Sequence, residues 1–357
     1  MPKTALIRAD GSKTIGLGHI SRACLVSNML QQRFGLEPKL VTKKNLSSEY
    51  FIRERGIDTI LLPEESTVED EILFFRQFAE KETPSLIVLD VLDYDINISY
   101  TKAVRELDCP VIAVTDDSQH RVIDADVIIN GNPSQLGQDY SGVSGRYLIG
   151  PKYFIMDSKY ENIEAKEPEG DVKSILLTVG GSDHNDLLFR ILDIIERMKR
   201  ELSVMIIVSK ASGYVDHLQE YLKRLTMHTQ LFVDVKSLVS FWEQCDIAIT
   251  AAGNTLFERI ATRLPGATLC QLDRQMEIAD NFESLGVNVN LGSEQNVSGD
   301  ILSKQIADFI ENREQHHLQY MKSPQIIDGR GLRRFNSEVQ SVLEIYQDGL
   351  RETDKTI

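Results

Sequence analysis

The residues best suited to chemistry lie in one segment near the N-terminus, Arg8–Arg22, with the sequence RADGSKTIGLGHISR. Glycines at positions 11, 16 and 18 allow the backbone to turn tightly and to approach a ligand closely. His19 follows the last of these glycines, and an imidazole can accept a proton near neutral pH. The segment therefore predicts a ligand-binding loop with His19 as a candidate base.

The elements that position this loop are a strand before it and a helix after it. The apolar run Ala5–Ile7 is typical of a strand, and the periodic apolar stretch Ala23–Phe34 is typical of a helix. The N-terminus of such a helix offers free N–H groups and the positive end of the helix dipole, which suits an anion such as phosphate.

Three other interpretations of the loop can be compared with its residues. A Walker A loop is excluded, because Gly11–Thr14 has neither glycine of that motif in register. A dinucleotide fingerprint is a weak match, because Gly16–Ser21 ends in serine. The plainest alternative is a strand-to-helix turn in which His19 only caps the helix.

Composition limits the function classes. The chain has 357 residues, a formal net charge of −15 and 42% hydrophobic residues, enough for two cores. The negative charge argues against a general nucleic-acid or anionic-membrane binder. We expect no signal peptide and no membrane insertion, and four widely spaced cysteines fit a reducing cytoplasm.

Short apolar runs alternate with helical stretches throughout the chain, as in parallel βαβ units. The alternation pauses at 150–171, a polar stretch interrupted by prolines. The predicted fold class is α/β and GT-B-like, with two doubly wound, Rossmann-like domains facing a central cleft. The predicted divisions are an N-terminal domain at 1–150, a linker at 151–171, a second domain at 172–325 and a helical tail at 326–357.

Two loops in the second half suit a nucleotide. Val179–Asp183 carries Gly180, Gly181 and Ser182 after a predicted strand, and glycine pairs free backbone N–H groups for phosphate oxygens. Thr250–Glu258 repeats the strand, small-residue turn and helix pattern with Gly253, Asn254 and Thr255. The Glu258 carboxylate could accept two hydrogen bonds from a ribose diol, or it could be a solvated helix residue.

Several aspartates follow predicted strands, namely Asp90, Asp93, Asp95, Asp116 and Asp117. Such carboxylates could bind a divalent cation, but aspartates in turns and helix caps are the more common explanation. We retain Asp10 and Asp90 as substrate contacts, and we predict no metal and no cofactor. His184 and the pair His316–His317 are expected to be ordinary helix residues, the pair facing solvent, and Trp242 is expected in the core.

Three segments together resemble a known family. They are IRADGSKTIGLGHISR, LLTVGGSDHNDL and ITAAGNTLFERIATRLPGATLCQLDRQMEIADNFESLG, in this order. The last resembles the nucleotide-binding half of the GT-B superfamily. The ordered set resembles the PseG-like UDP-sugar hydrolases of pseudaminic acid biosynthesis and their relatives in spore-coat polysaccharide synthesis.

The resemblance implies that His19 is the general base for water attacking the anomeric carbon. It also implies that Gly180–Ser182 and Gly253–Thr255 surround the nucleotide diphosphate and that Glu258 binds ribose. Gly16, Gly18 and Arg22 of the first loop, together with Asp10, Asp90 and Gln275, are the expected substrate contacts.

The chain departs from the family pattern at two positions. Asp90-Val91-Leu92 replaces an Asp-x-Tyr, and Arg274-Gln275 replaces an Asn-Gln. Both positions are expected to face the sugar, so the identity of the sugar stays open. The predicted function is hydrolysis of a UDP-activated deoxyamino sugar to free sugar and UDP. The alternatives are a GT-B glycosyltransferase with a UDP-sugar donor and a non-catalytic nucleotide-sugar-binding subunit.

Overall fold

The computed structural model describes residues 3–12, 16–90, 98–116, 123–141, 145–179, 187–271, 273–293 and 295–354. The chain divides into two compact units. The first comprises Met1–Asp157 and Arg330–Ile357, and the second comprises Ser158–Gly329. None of the described helices is long and apolar enough to cross a membrane.

The first unit is built on a parallel sheet of seven strands in the order β3-β2-β1-β4-β5-β6-β7. Its strands are β1 (Thr4–Ala9), β2 (Glu37–Lys43), β3 (Thr59–Leu62), β4 (Leu86–Asp90), β5 (Val111–Thr115), β6 (Val127–Asn130) and β7 (Arg146–Ile149). Helices α1 (Gly18–Phe34), α2 (Leu46–Arg53), α3 (Val68–Lys81) and α4 (Ile98–Arg105) connect them. Strand β1 is buried along its whole length, as expected for an apolar run in the middle of a parallel sheet.

The second unit repeats this plan with six parallel strands in the order β10-β9-β8-β11-β12-β13. Its strands are β8 (Ser174–Thr178), β9 (Ser203–Val208), β10 (His228–Val233), β11 (Ile247–Thr250), β12 (Gly266–Cys270) and β13 (Val289–Ser293). Its helices are α5 (Leu187–Arg197), α6 (Val215–Leu222), α7 (Val239–Trp242), α8 (Asn254–Ala261), α9 (Asp273–Ser284), α10 (Gly299–Glu311) and α11 (Arg313–Ile326). The prediction of two doubly wound domains is confirmed.

The C-terminal residues differ from the expected separate tail. Gly331–Asp354 forms helix α12, which belongs to the first unit. Phe335, Val339 and Val342 are buried in the core of that unit, alongside residues of β1 and α1. Their spacing of four and three residues places them on one face of the helix. The hydrophobic effect therefore returns the end of the chain to the N-terminal unit.

The start of α1 also differs from the sequence prediction. The helix begins at Gly18, five residues before the expected Ala23, and it ends where Gly35 adopts φ 63°. His19 and Arg22 consequently lie three residues apart on the first turns of one helix, where side chains at this spacing are neighbours.

Candidate active site

Both sheets change winding direction between two central strands, β1 and β4 in the first unit and β8 and β11 in the second. In open parallel sheets, ligands bind outside the carboxyl ends of the strands at such a point. In the first unit, Asp10 follows β1 and Asp90 ends β4. In the second, Thr250 ends β11, directly before the loop that leads to α8.

The loop between β1 and α1 is closed by its own backbone. Ser12 and Gly16 exchange two hydrogen bonds, with N···O distances of 3.2 and 2.9 Å, and Gly16 adopts φ +84°. A Cβ at Gly11 would lie 2.6 Å from Ile20 Cγ1, so a larger residue could not pack there. Gly11 thus allows the loop to pack closely against the first turn of α1, next to His19.

His19 is buried and is oriented by a carboxylate. Only 7% of the residue is exposed, and its Nδ1 atom lies 2.7 Å from Asp90 Oδ1. Arg22 Nη2 also lies 3.0 Å from Nδ1. If Nδ1 carried no proton, its lone pair would face the nearer Asp90 oxygen, and two acceptors this close would repel each other. Nδ1 therefore donates to Asp90, and Nε2 keeps a lone pair that can accept a proton.

Asp90 is a carboxylate at neutral pH. Burial alone would raise its pKa, but the charge of Arg22 and the hydrogen bonds from Arg22 and His19 lower the pKa to about 2. A buried, ionised partner on Nδ1 fixes the orientation of the imidazole and stabilises its protonated form.

Arg22 joins two carboxylates. Its Nε and Nη2 atoms donate to Asp90 at 2.7 and 2.6 Å, and Nη1 and Nη2 donate to Asp116 at 3.1 and 2.9 Å. The residue is only 3% exposed. We expected Arg22 to contact substrate, but the structure places its donors on these two aspartates, where it fixes the groups around His19.

Asp116 is the residue of this cluster that sequence reasoning underrated. Turns and helix caps are the more common explanation for such an aspartate, yet its Oδ2 lies 3.9 Å from His19 Nε2. The signal that could have identified it is its position directly after β5, the strand next to β4 in the sheet. Asp93, Asp95 and Asp117 lie outside the described residues.

Asp10 lies at the same edge of the sheet but in a separate network. Arg8 Nη2 donates to Asp10 Oδ2 at 2.6 Å, and the backbone N–H of Lys43 donates to Oδ1 at 2.8 Å. Arg8 also forms a two-point contact with Glu71, both distances 2.8 Å. The Asp10 side chain retains 19% exposure, so its main contacts are structural, with a limited surface left for a ligand.

The small-residue turn of the second unit lies directly at the start of α8. Gly253 precedes the helix without a side-chain cap, and a Cβ at this position would meet no described atom within 4 Å. Thr255 Oγ1 donates to the carbonyl oxygen of Ala251 at 3.4 Å, which leaves its lone pairs available. The turn formed by Gly253, Asn254 and Thr255 is therefore open at the N-terminus of α8, as an anion site requires. The other half of the predicted diphosphate site, Gly180, Gly181 and Ser182, lies outside the described residues together with His184.

Glu258 is half-buried on the second turn of α8. Gln275, on the first turn of α9, accepts a hydrogen bond from the backbone N–H of Gln271 through Oε1 at 2.8 Å. Part of its hydrogen-bonding capacity is therefore used in fixing the start of α9.

Two polar atoms near this turn are buried without a partner, and sequence reasoning missed both. Within the described residues, Thr250 Oγ1 and Gln271 Nε2 make no hydrogen bond. Thr250 ends β11 and Gln271 directly follows the neighbouring strand β12, so both lie at the carboxyl edge of the sheet. A buried donor without a partner costs about 1–3 kcal/mol, so such groups suit a site completed by a ligand.

Arg259, next to Glu258 on α8, is fully buried with a different set of partners. Its guanidinium donates to the carbonyl oxygens of Leu264 and Val287 and to the side chain of Asn288, at 2.9–3.0 Å. No carboxylate pairs with it in the described part of the chain, and burial lowers its pKa. The contacts tie α8 to the segments that lead into β12 and β13, which makes Arg259 a structural residue.

Two smaller expectations had opposite outcomes. Trp242 is fully buried, as predicted. The prediction that the pair His316–His317 faces solvent is wrong for His316, which is 2% exposed and has its Nε2 atom 2.8 Å from the carbonyl oxygen of Phe309. Burial lowers its pKa.

Among the residues that the structure describes, no group of three or more His, Cys, Asp or Glu side chains is arranged to hold a metal ion.

The relatives of the chain agree with the resemblance drawn from its motifs. It is 24% identical to the spore coat polysaccharide biosynthesis protein SpsG of Bacillus subtilis, over 95% of this chain and 98% of that protein. It is 22% identical to the UDP-2,4-diacetamido-2,4,6-trideoxy-beta-L-altropyranose hydrolase of Campylobacter jejuni, over 80% of this chain and 97% of the hydrolase. The predicted resemblance to PseG-like and spore-coat proteins is confirmed. No protein-family model matches the chain.

The fold has close counterparts among solved structures. MurG from Acinetobacter baumannii superposes with a TM-score of 0.74 at 13% identity, over 95% of this chain and all of that one. At this identity the likeness shows the fold alone, and it confirms the predicted GT-B-like fold class.

Proposed function

We propose that the protein hydrolyses a UDP-activated deoxyamino sugar at its anomeric carbon, releasing free sugar and UDP, in nonulosonic acid or surface polysaccharide biosynthesis. The observation that carries this proposal is the contact of His19 Nδ1 with Asp90, which leaves Nε2 as a proton acceptor at the edge of the sheet. The named activity of the Campylobacter relative supports the choice of substrate class and reaction.

In the proposed reaction, His19 Nε2 takes a proton from a water molecule while the water oxygen attacks the anomeric carbon. The bond between that carbon and the UDP oxygen breaks, and its electron pair leaves with UDP. Asp90 stabilises the imidazolium that forms, and Arg22 keeps Asp90 in place. The proton then passes from His19 to solvent, which restores the base.

We assign the nucleotide to the second unit. The backbone N–H groups at the start of α8, with Gly253, Asn254 and Thr255, would bind the diphosphate, together with Gly180, Gly181 and Ser182. Glu258 would accept hydrogen bonds from the ribose, and Gln275 would lie towards the sugar. Donors that neutralise the departing diphosphate lower the barrier to bond cleavage, so this reaction needs no metal.

A glycosyltransferase is the second candidate, because solved glycosyltransferases share the fold, among them CalG4, the calicheamicin glycosyltransferase. In that case an acceptor hydroxyl takes the place of water opposite His19. A nucleotide-sugar-binding subunit without catalysis is the third.

One assay separates the three candidates. The purified protein is incubated with UDP-2,4-diacetamido-2,4,6-trideoxy-β-L-altropyranose, and with UDP-N-acetylglucosamine for comparison, without any acceptor. NMR then measures free sugar and UDP. We expect both products in equal amounts and an unchanged rate with EDTA. Turnover only with an added acceptor would favour the transferase, and binding without turnover the subunit. A rate lost with EDTA and restored by Mg²⁺ or Mn²⁺ would contradict the metal-free mechanism.

A further inference from the structure

Asp116 lies close to His19 and pairs with Arg22. Its Oδ2 atom lies 3.9 Å from Nε2, while Asp90 contacts the other ring nitrogen, Nδ1. Arg22 donates to both of its oxygens, and Asn132 Nδ2 donates to its backbone carbonyl at 2.9 Å. The Asp116 side chain is nevertheless 24% exposed, against 3% for Asp90. Asp116 is thus fixed in position and still accessible from solvent.

The distance between the two atoms fits one shared small molecule. A separation of 3.9 Å is too long for a direct hydrogen bond. A single water that donates one hydrogen to each of two acceptors, with donor–acceptor distances of about 2.8 Å, spans acceptors about 4 Å apart. Asp116 Oδ2 accepts one hydrogen bond from Arg22, and a carboxylate oxygen has room for another.

We propose that Asp116 is a second catalytic residue, which binds the nucleophilic water together with His19 and selects water over hydroxyl compounds. This inference rests on the proposed hydrolysis. A water molecule has two hydrogens and can satisfy both acceptors at once. The hydroxyl group of an alcohol has only one hydrogen, so either Nε2 or the Asp116 carboxylate faces the alkyl group without a hydrogen bond. A carboxylate in that position loses solvation, which is unfavourable.

The hydrogens of the water then have separate fates. The hydrogen that points to Nε2 moves to His19 as the oxygen attacks the anomeric carbon. The hydrogen that points to Asp116 stays on the oxygen and becomes the hydrogen of the new anomeric hydroxyl. Asp116 therefore changes neither its charge nor its protonation state, and it acts by orienting the oxygen lone pair.

The test compares water with methanol as competing nucleophiles, at a fixed methanol concentration and saturating UDP-sugar. Mass spectrometry measures free sugar and methyl glycoside for the wild type, Asp116→Asn and Asp116→Ala. In both variants we expect kcat for hydrolysis to fall about 10²-fold, the cost of a misplaced reactant, with KM within about threefold. The ratio of methyl glycoside to free sugar should rise about tenfold, which is the worth of one hydrogen bond.

Asp124→Asn is the matched control. Asp124 is in the same unit, its side chain is 22% exposed, and it pairs with Arg105 at 3.3 Å. Its rate and product ratio should equal those of the wild type. Circular dichroism verifies that each variant is folded.

Each remaining outcome has a definite meaning. A wild type that hydrolyses the UDP-sugar, with an unchanged rate and ratio in both Asp116 variants, overturns the role of Asp116 and leaves the proposed function intact. A reduced rate with an unchanged ratio overturns the selection of water. A wild type that releases no free sugar from the UDP-sugars of the assay overturns both proposals.

Discussion

The carboxyl edges of the two sheets are built from opposite kinds of side chain. In the first unit, His19, Arg22, Asp90 and Asp116 are charged or ionisable groups that already bind one another. In the second, the described edge has small polar residues, and two buried polar atoms there make no hydrogen bond. Groups that must transfer a proton are oriented before a ligand arrives, whereas groups that bind a ligand keep their hydrogen-bonding capacity for it.

The two buried arginines that follow these edges show the same contrast. Arg22 pairs with two carboxylates, whose charges outweigh the effect of burial and raise its pKa. Arg259 has carbonyl and amide partners, and burial lowers its pKa. Of these two buried arginines, only Arg22, which has ionised partners, belongs to the proposed catalytic network.

The largest expected effect comes from His19→Asn. Loss of the general base should reduce turnover by about 10²–10⁴-fold. UDP affinity, measured by calorimetry, should change by less than about twofold, because the proposed nucleotide contacts lie in the second unit. His317→Asn, an exposed histidine of that unit, is the control and should keep full activity. Near-normal turnover in His19→Asn would contradict the assignment of His19 as the general base and of its partners in the first unit as catalytic groups.

The arginine contrast predicts unequal losses of stability. Arg22→Met leaves the buried Asp90 carboxylate without its main partner and should lower the free energy of unfolding by about 3–5 kcal/mol. Arg259→Met leaves only neutral acceptors unpaired and should cost about 1–3 kcal/mol. Urea denaturation at pH 7 measures both. Equal losses in the free energy of unfolding would show that the carboxylate partners of Arg22 contribute no more to stability than the neutral partners of Arg259.

The low pKa of Asp90 predicts that the stability of the protein depends on pH through this residue. Its pKa is about 2 in the folded protein against an ordinary 3.8, so its contribution to stability is complete above about pH 5 and is lost as the pH falls towards 2. The shift corresponds to about 2 kcal/mol. The stability difference between wild type and Asp90→Asn, followed by urea denaturation from pH 7 to 3, should shrink accordingly. A constant difference would contradict the assigned pairing.

The smallest effect concerns the second unit. Glu258→Ala should weaken UDP binding by about 1–3 kcal/mol if its carboxylate binds the ribose diol. Calorimetry with UDP tests this, and Glu283→Ala, on helix α9 of the same unit, is the control. Unchanged UDP affinity in Glu258→Ala would exclude Glu258 from the nucleotide site and weaken the comparison between the two edges.

Much of the fold could be predicted from the sequence because parallel strands buried on both faces appear as continuous apolar runs. Strands β7 and β13 are harder to predict. Both lie at an edge of a sheet, where burial is incomplete and the sequence carries polar residues such as Arg146 and Asn290. The early start of α1 is also hard to predict, because glycines at positions 16 and 18 are typical of a loop, yet the helix already begins at Gly18.

The sequence by itself determined the two-domain α/β class, the family resemblance and the candidate role of His19, since all three depend on local residue order. Only the tertiary structure decided which groups His19 contacts. Asp90 and Asp116 lie 71 and 97 positions away along the chain, and parallel pairing of β1, β4 and β5 brings their ends to one edge. The tertiary structure also decided the position of α12, because its apolar face is buried only by packing into the core of the first unit. Contacts between distant segments depend on strand order and burial, which no local pattern encodes.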